Sequence, residues 1–280
     1  MRIAVIGLGL IGGSIALAAR QRLGAEVVGM DTDEAVREAA LTSGALDSAC
    51  DTIAETVNGA RAAFVAVPVG RLPDAVGGVL DRAQEDCVVS DVGSTKRAVV
   101  AAHTDPRFIG GHPMAGSEQS GFAHARPDLF DDAAWFLTPS AATPEVLLKR
   151  LRGLLEAIGA CPRIVDAEAH DRLVATVSHL PHVIANALMA QAEATLPAGD
   201  APLRTAGPSF RDATRVAGAP SAIWTDIYAA NADMLALAVG DMIDRLDTFR
   251  EALRCADRAR IVAFCEAAAA TRERLQGGPR

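Results

Sequence analysis

The protein has 280 residues, of which 50% are hydrophobic and 4% aromatic, and its formal net charge is −8 at pH 7. That length suits two domains of ordinary size better than one small core, and the abundance of alanine suits helices packed closely on small side chains. The acidic balance gives no general attraction to phosphate backbones or anionic lipid. Nucleic-acid and membrane-surface roles are therefore not expected, and an anionic ligand would need a local cluster of arginine. Five scattered cysteines, Cys50, Cys87, Cys161, Cys255 and Cys265, contain no Cys-x-x-Cys pair. They fit a reducing, cytoplasmic location and argue against a disulfide framework or a structural zinc site. No metal-ligand spacing is present, so no metal is expected.

In chain order, the β-branched run from Arg2 to Ile6 breaks at Gly7-Leu8-Gly9-Leu10-Ile11-Gly12 and resumes as a helical pattern through Ala19. This reads as strand, tight turn and helix, a better account of the segment than a secretory signal. Gly7 permits the turn, Gly9 leaves room for a pyrophosphate, and Gly12 lets helix and strand pack closely, with the helix N-terminus facing the phosphate charge. Gly7, Gly9, Leu10, Ile11 and Gly12 are thus expected to bind a dinucleotide. A second apolar strand, Glu26 to Met30, ends at Asp31, about 20 residues past the last glycine, where this fold places the acid that holds the adenosine ribose. A carboxylate there accepts from a 2′-hydroxyl and repels a 2′-phosphate, and neither Thr32 nor Asp33 offers a cation to hold that phosphate. NAD is expected rather than NADP.

Strands follow at Ala62 to Val67 and Cys87 to Ser90, separated by an amphipathic helical stretch from about Arg71 to Arg82. The alternation predicts a doubly wound parallel sheet of the Rossmann type, with Val67 and Pro68 at its ligand-binding carboxyl edge. Later strands are predicted at Arg107 to Ile109, Ala134 to Leu137 and Arg163 to Val165, with a helix from about Pro144 to Ile158. The stretch Gly110 to Glu118 reads as a glycine-rich loop holding His112, which is expected to act as a general base with a pKa near the ordinary value of about 6.5. Ser94, in the preceding loop, is the residue expected to orient it.

The second half reads as helical. Leu173 to Ala192 has no Asp, Glu, Lys or Arg but includes Ser178, His179, Pro181, His182, Asn186 and Gln191, too polar for a membrane span. Ser178 and His182 fall one turn apart on one face, and Pro181 demands a local break in the backbone ladder. Arg211 and Arg215 also lie four apart, unfavourable in isolation but suited to an anion, and Arg215 is expected to bind a substrate carboxylate.

Together these motifs resemble the prephenate and arogenate dehydrogenase family of tyrosine biosynthesis: the N-terminal glycine turn, Val92 to Lys96, Gly110 to Gly116, Ser178 to His182 and Phe210 to Arg215 occur in the family's order and spacing. The resemblance implies an NAD-dependent oxidative decarboxylation in which His112 is the base for the ring hydroxyl. It also implies that Ser94 hydrogen-bonds that histidine, that Arg215 binds a substrate carboxylate, and that His179 and His182 line the pocket. The expected organisation is an N-terminal Rossmann domain over residues 1–165 and an all-helical substrate and homodimerisation domain over residues 166–280. Prephenate is favoured over arogenate because the pocket motif offers no acid for an ammonium. Fused mutase or regulatory domains of other family members have no counterpart in the helical patterns near the end of the sequence. A β-hydroxyacid-type dehydrogenase is less favoured, because it uses a lysine in its second domain and Lys96 and Lys149 both lie in the first half. A non-catalytic NAD-sensing module would not need His112, Ser94 and Arg215 together.

Overall fold

The computed structural model describes residues 1–116, 119–195 and 206–277. Ser117 and Glu118, at the end of the glycine-rich stretch, and the closing Gly278-Pro279-Arg280 lie outside the described residues. Strands β1 (Arg2–Ile6), β2 (Glu26–Met30), β3 (Ser48–Ala49), β4 (Ala62–Val65) and β5 (Val88–Asp91) alternate with helices α1 (Leu10–Leu23), α2 (Glu34–Thr42), α3 (Ile53–Val57), α4 (Leu72–Leu80) and α5 (Arg97–Ala102). The strands pair in parallel in the order β3-β2-β1-β4-β5. Alternate residues of the central strand enter two different cores. Ile3 and Val5 pack with Ile15, Val27 and Phe64 on one face, whereas Ala4 and Ile6 pack with Val65, Val76 and Val89 on the other. A parallel sheet covered on both faces has this pattern.

The later strands do not extend that sheet. β6 (Gly110–Pro113), β7 (Ala134–Thr138) and β8 (Cys161–Ile164), with α6 (Glu145–Ala157) between the last two, form a separate three-stranded sheet. Its first pair is antiparallel and its second parallel. The predicted strand Arg107 to Ile109 makes only an isolated bridge, Val89 to Phe108, and the glycine-rich residues expected to form a loop are the strand instead. A Cβ on Gly111 would lie 2.5 Å from the Asp91 carbonyl and 2.6 Å from Ser90 Oγ. Glycine here serves close packing of β6 beside β5, not loop conformation.

After β8 the described elements are all helical: α7 (Ala167–Val174), a π-helical turn (Ala175–His179), α8 (Leu180–Thr195), α9 (Pro208–Thr214), a 3-10 turn (Arg215–Gly218), α10 (Ser221–Ala230), α11 (Ala232–Arg254) and α12 (Arg258–Gly277). The run Ala167–Thr195 would be long and apolar enough to cross a membrane by length and composition alone, with a mean hydropathy of 1.4 over its best window. A core helix passes the same test, and this one carries the buried polar groups His170, Asp171, His179 and His182. The chain forms two compact units, Met1–Asn231 and Ala232–Arg280. The second unit consists of α11 and α12, whose Phe249 and Phe264 rings lie 4.6 Å apart. It leaves Leu237, Ile243, Leu246, Leu253 and Val262 exposed.

Candidate active site

One cavity of ≈ 790 Å³ runs from the glycine turn to the second-half helices, within the first compact unit. At one end the backbone does most of the work. Gly7 has a φ of +91°, which favours glycine, and its amide donates to the Met30 carbonyl at 2.7 Å. A Cβ on Gly12 would meet the Gly7 carbonyl oxygen at 1.9 Å, whereas one on Gly9 would meet nothing within 4 Å. Gly12 is therefore required by packing, and Gly9 keeps open the space at the start of α1. That helix has no side-chain cap and no acid in its first turn, so its amides face the cavity available to an anion.

Asp31 reaches the same wall, its carboxylate oriented by the amides of Leu8 at 2.7 Å and Asp33 at 3.0 Å. The nearby Arg37 guanidinium is held by the Asp31 carbonyl at 2.6 Å and by Asp51 at 2.9 Å, which occupies it away from a 2′-phosphate. Leu10, Ile11, Val67 and Pro68 complete this end. The open turn, the free helix terminus and the placed acid fit a dinucleotide bearing a ribose 2′-hydroxyl.

The other end holds His112, on β6 and buried. Its Nδ1 lies 2.9 Å from His170 Nε2, and His170 Nδ1 lies 2.8 Å from Asp171 Oδ1. Asp171 also accepts from the Lys96 amide at 2.7 Å, the Arg97 amide at 3.0 Å and Arg97 Nε at 3.3 Å. Burial works against charge on Asp171, but the hydrogen bonds from His170 and these amides outweigh it and hold the carboxyl below its usual range. Burial, reinforced by His170, the Lys96 ammonium and His179, holds His112 well below the ordinary histidine value. It is neutral at physiological pH, and the expectation of a pKa near 6.5 is corrected accordingly.

Lys96 fixes the strand that carries this histidine. Wholly buried, its ammonium pairs with Asp91 and donates to the Gly111 carbonyl at 2.6 Å. Asp91 in turn accepts from the amides of Gly93 at 2.8 Å and Gly111 at 3.0 Å. The residue preceding His112 is thus tied at both its N–H and its carbonyl. Desolvation pulls Lys96 below the usual ammonium range, and the attraction of Asp91 opposes that pull.

Several expected residues take other places. Ser94 lines the cavity, but among the described residues it is His170, and not Ser94, that bonds His112 Nδ1. Ser178 also lines the cavity, whereas His179 and His182 are buried behind the wall. The cause is the π-helical turn before Pro181, in which the Leu180 amide bonds back to the Ala175 carbonyl. This turn shifts the register and so separates Ser178 from the face expected to carry His182. Asn231 donates to His179 Nδ1 at 3.3 Å and to the Asp171 carbonyl at 2.8 Å. Burial lowers the His179 pKa to about 4. His182 stacks on Trp224 with ring centroids 3.7 Å apart, and it is Trp224 that reaches the wall. Arg215 lines the cavity from the 3-10 turn, while Arg211, one turn earlier on α9, is exposed and off the wall. Lone His170, Asp171 and Asn231 carried no motif signal of their own. Only the adjacent His-Asp pair, eight residues before Ser178-His179, could have drawn attention to them.

A dinucleotide held at the glycine turn would meet, in this one cavity, a hydroxyl compound held between a neutral imidazole and an arginine, which is the arrangement of a nicotinamide-dependent dehydrogenase. Comparison with known proteins makes the assignment narrower. The prephenate dehydrogenase nucleotide-binding domain matches residues 15–164 and the prephenate dehydrogenase dimerization domain matches residues 166–266. The chain belongs to the prephenate dehydrogenase family. It is 35% identical over 255 residues to a prephenate dehydrogenase of Bacillus subtilis, covering 89% of this chain and 69% of that one. It is 34% identical over 261 residues to a cyclohexadienyl dehydrogenase of Zymomonas mobilis, covering 91% and 89%. The solved prephenate dehydrogenase from A. aeolicus in complex with hydroxyphenyl propionate and NAD+ superposes with a TM-score of 0.90 at 26% identity, covering 98% of each chain.

Proposed function

We propose that the protein catalyses the NAD-dependent oxidative decarboxylation of prephenate to 4-hydroxyphenylpyruvate, with His112 as base and Arg215 as the carboxylate clamp. The observation that carries this reading is a neutral, buried His112 on the wall of the cavity that also exposes the glycine turn and Arg215. Bound NAD supplies the hydride acceptor. His112 takes the proton of the ring 4-hydroxyl as the C4 hydride leaves. The bond from C1 to the ring carboxylate then breaks, its electron pair enters the ring, and CO2 departs. The new phenolate oxygen recovers the proton from His112, so the base ends the cycle as it began. A buried imidazole with a low proton affinity suits this temporary role, since it returns the proton readily. Arg215, with Ser94 and Ser178 on the same wall, fixes the substrate against that imidazole.

Among the described lining residues Asp31 is the one carboxylate, and it lies at the ribose end. Among the described residues an amino group in place of the keto oxygen would find no acid on the wall beside Arg215, which favours prephenate over arogenate. The exposed apolar residues of α11 and α12, with the matched dimerization domain, support a homodimer formed by the helical region from residue 166 onward. A cytoplasmic location fits the scattered free cysteines. The test is NADH formation with prephenate and with arogenate under the same conditions. Prephenate should give the higher kcat/KM; a higher value with arogenate reverses the substrate assignment, and no turnover of either removes the reading altogether.

A further inference from the structure

We propose that His170 and Asp171 are positioning residues that hold His112 in the tautomer whose Nε2 is the base, an inference that rests on the catalytic reading above. The proton positions are set from the Asp171 end of the series. Asp171 is buried and receives hydrogen bonds from the Lys96 amide, from the Arg97 amide and side chain, and from His170. A carboxylate surrounded by donors can only accept. His170 Nδ1 must therefore carry its proton toward Asp171, which leaves Nε2 as the His170 nitrogen able to accept. That nitrogen lies 2.9 Å from His112 Nδ1, so His112 Nδ1 is the donor. The His112 proton is thereby fixed on Nδ1, and the lone pair is placed on Nε2, which makes no hydrogen bond among the described residues.

Local structure holds the series rigid. Asp166 caps α7 by accepting from the Ala169 amide at 2.8 Å, which sets the first turn from which His170 and Asp171 project. The Phe136 ring meets His170 edge-on at 5.5 Å between centroids, and the His112 and His170 rings meet at 71°. Asn231 ties the Asp171 carbonyl to the end of α10, and its side-chain oxygen accepts from Arg97 at 3.1 Å. His170 and Asp171, buried and hydrogen-bonded at both ring nitrogens and both carboxylate oxygens, specify one arrangement, because any other leaves a buried group unpaired. When His112 takes the substrate proton, its Nδ1 keeps the same partner in His170 Nε2, so the ring does not have to turn. Its other charged or titratable neighbours are Lys96 with its partner Asp91, His179 from the π-helical turn, and Arg215 across the cavity.

The test uses the full-length protein with 15N-labelled histidine, His112 being assigned by the signals lost in His112→Asn. Correlation of ring nitrogens with ring protons should show His112 protonated at Nδ1 and bare at Nε2. His170→Leu removes the acceptor and should move that proton and lower kcat by about 100-fold or more, with substrate KM within about threefold. His170→Gln offers a carbonyl to His112 and an N–H to Asp171. It should retain the tautomer and restore kcat to within about tenfold of the original. A wild-type His112 protonated at Nε2 overturns the proposal even if the variants do not fold. So do a His170→Leu protein that keeps the tautomer or the rate, and Leu and Gln variants that are equally impaired. The tautomer is read without substrate, so failure of prephenate turnover in the wild type would strike the functional assignment and leave this measurement standing.

Discussion

The two ends of the cavity are built on different principles. At the glycine turn the ligand surface is backbone: a left-handed Gly7, an open space at Gly9 and the first amides of α1. At the His112 end it is a network of buried side chains drawn from β6, α7, the segment before α5 and the end of α10. A backbone site tolerates changes to its neighbours as long as the turn survives, because hydrogen-bonding amides are present whatever the side chains are. A side-chain network has no such redundancy, since each member fixes the proton position of the next. Substitutions at the first end should therefore divide cleanly into those that break the fold and those that block the ligand, whereas substitutions at the second should alter chemistry first.

The largest expected effect is at the base itself. His112→Asn should lower kcat by on the order of 10² to 10⁴ while leaving NAD affinity within about twofold, measured by steady-state kinetics and by cofactor titration. A variant that keeps more than about a third of the rate would place the base elsewhere and dissolve the contrast between the two ends. Next comes the clamp: Arg215→Ala should reduce kcat/KM for prephenate by roughly 2 to 5 kcal/mol, as loss of a charge partner does, with NAD binding again unaltered. An unchanged KM and kcat would mean that Arg215 serves only the wall.

A paired test sharpens the reading of the glycine turn. Gly12→Ala drives a methyl into the Gly7 carbonyl and should cost roughly 1 to 3 kcal/mol of folding stability, as overpacking does. Gly9→Ala has open space around it and should leave thermal stability within about 0.5 kcal/mol yet weaken NAD, because its methyl enters the volume a pyrophosphate needs. Equal losses of stability in both variants would show that the turn is a packing device throughout.

The effects of pH are graded over several units. His112 and His179 are buried neutral, His179 with its pKa pulled to about 4, while in the unfolded chain both take up protons near pH 6.5. Below that pH the unfolded state binds more protons, so stability is full above about 6.5 and falls as pH drops toward 4. The slope approaches about 1.4 kcal/mol per pH unit for each histidine. Denaturant melts across that range would measure it. His112→Asn should flatten the slope, and an unchanged slope would locate the proton uptake elsewhere. The acid limb of kcat/KM should likewise lie below 6.5 and not at the value of an ordinary histidine. These pH effects belong to the side-chain end.

The same contrast explains what could be read without coordinates. The sequence by itself determined the parallel β-α alternation, the glycine turn and Asp31, because each depends on short-range rules: φ at Gly7, period in the strands and the spacing from the turn to the acid; His112 and Arg215 were legible only as candidates, through their motifs and the family resemblance. Residue spacing could not reveal that Gly110 and Gly111 form a strand, since the reason is the close approach of Gly111 to Ser90 and Asp91, about twenty residues earlier, and of Gly110 to Thr138. Nor could it place His179 and His182 behind the wall, because a π-helical turn changes the register by a residue that no helical period anticipates. Tertiary structure alone decided that His170, not Ser94, holds Nδ1 of His112, and that Asp171, Lys96 and Asn231 stand behind it. Bonded partners in this network lie as far as 134 residues apart in sequence, as Arg97 and Asn231 do, and a proton is assigned to one nitrogen or the other only when every group around it has been brought within hydrogen-bonding distance and cut off from water.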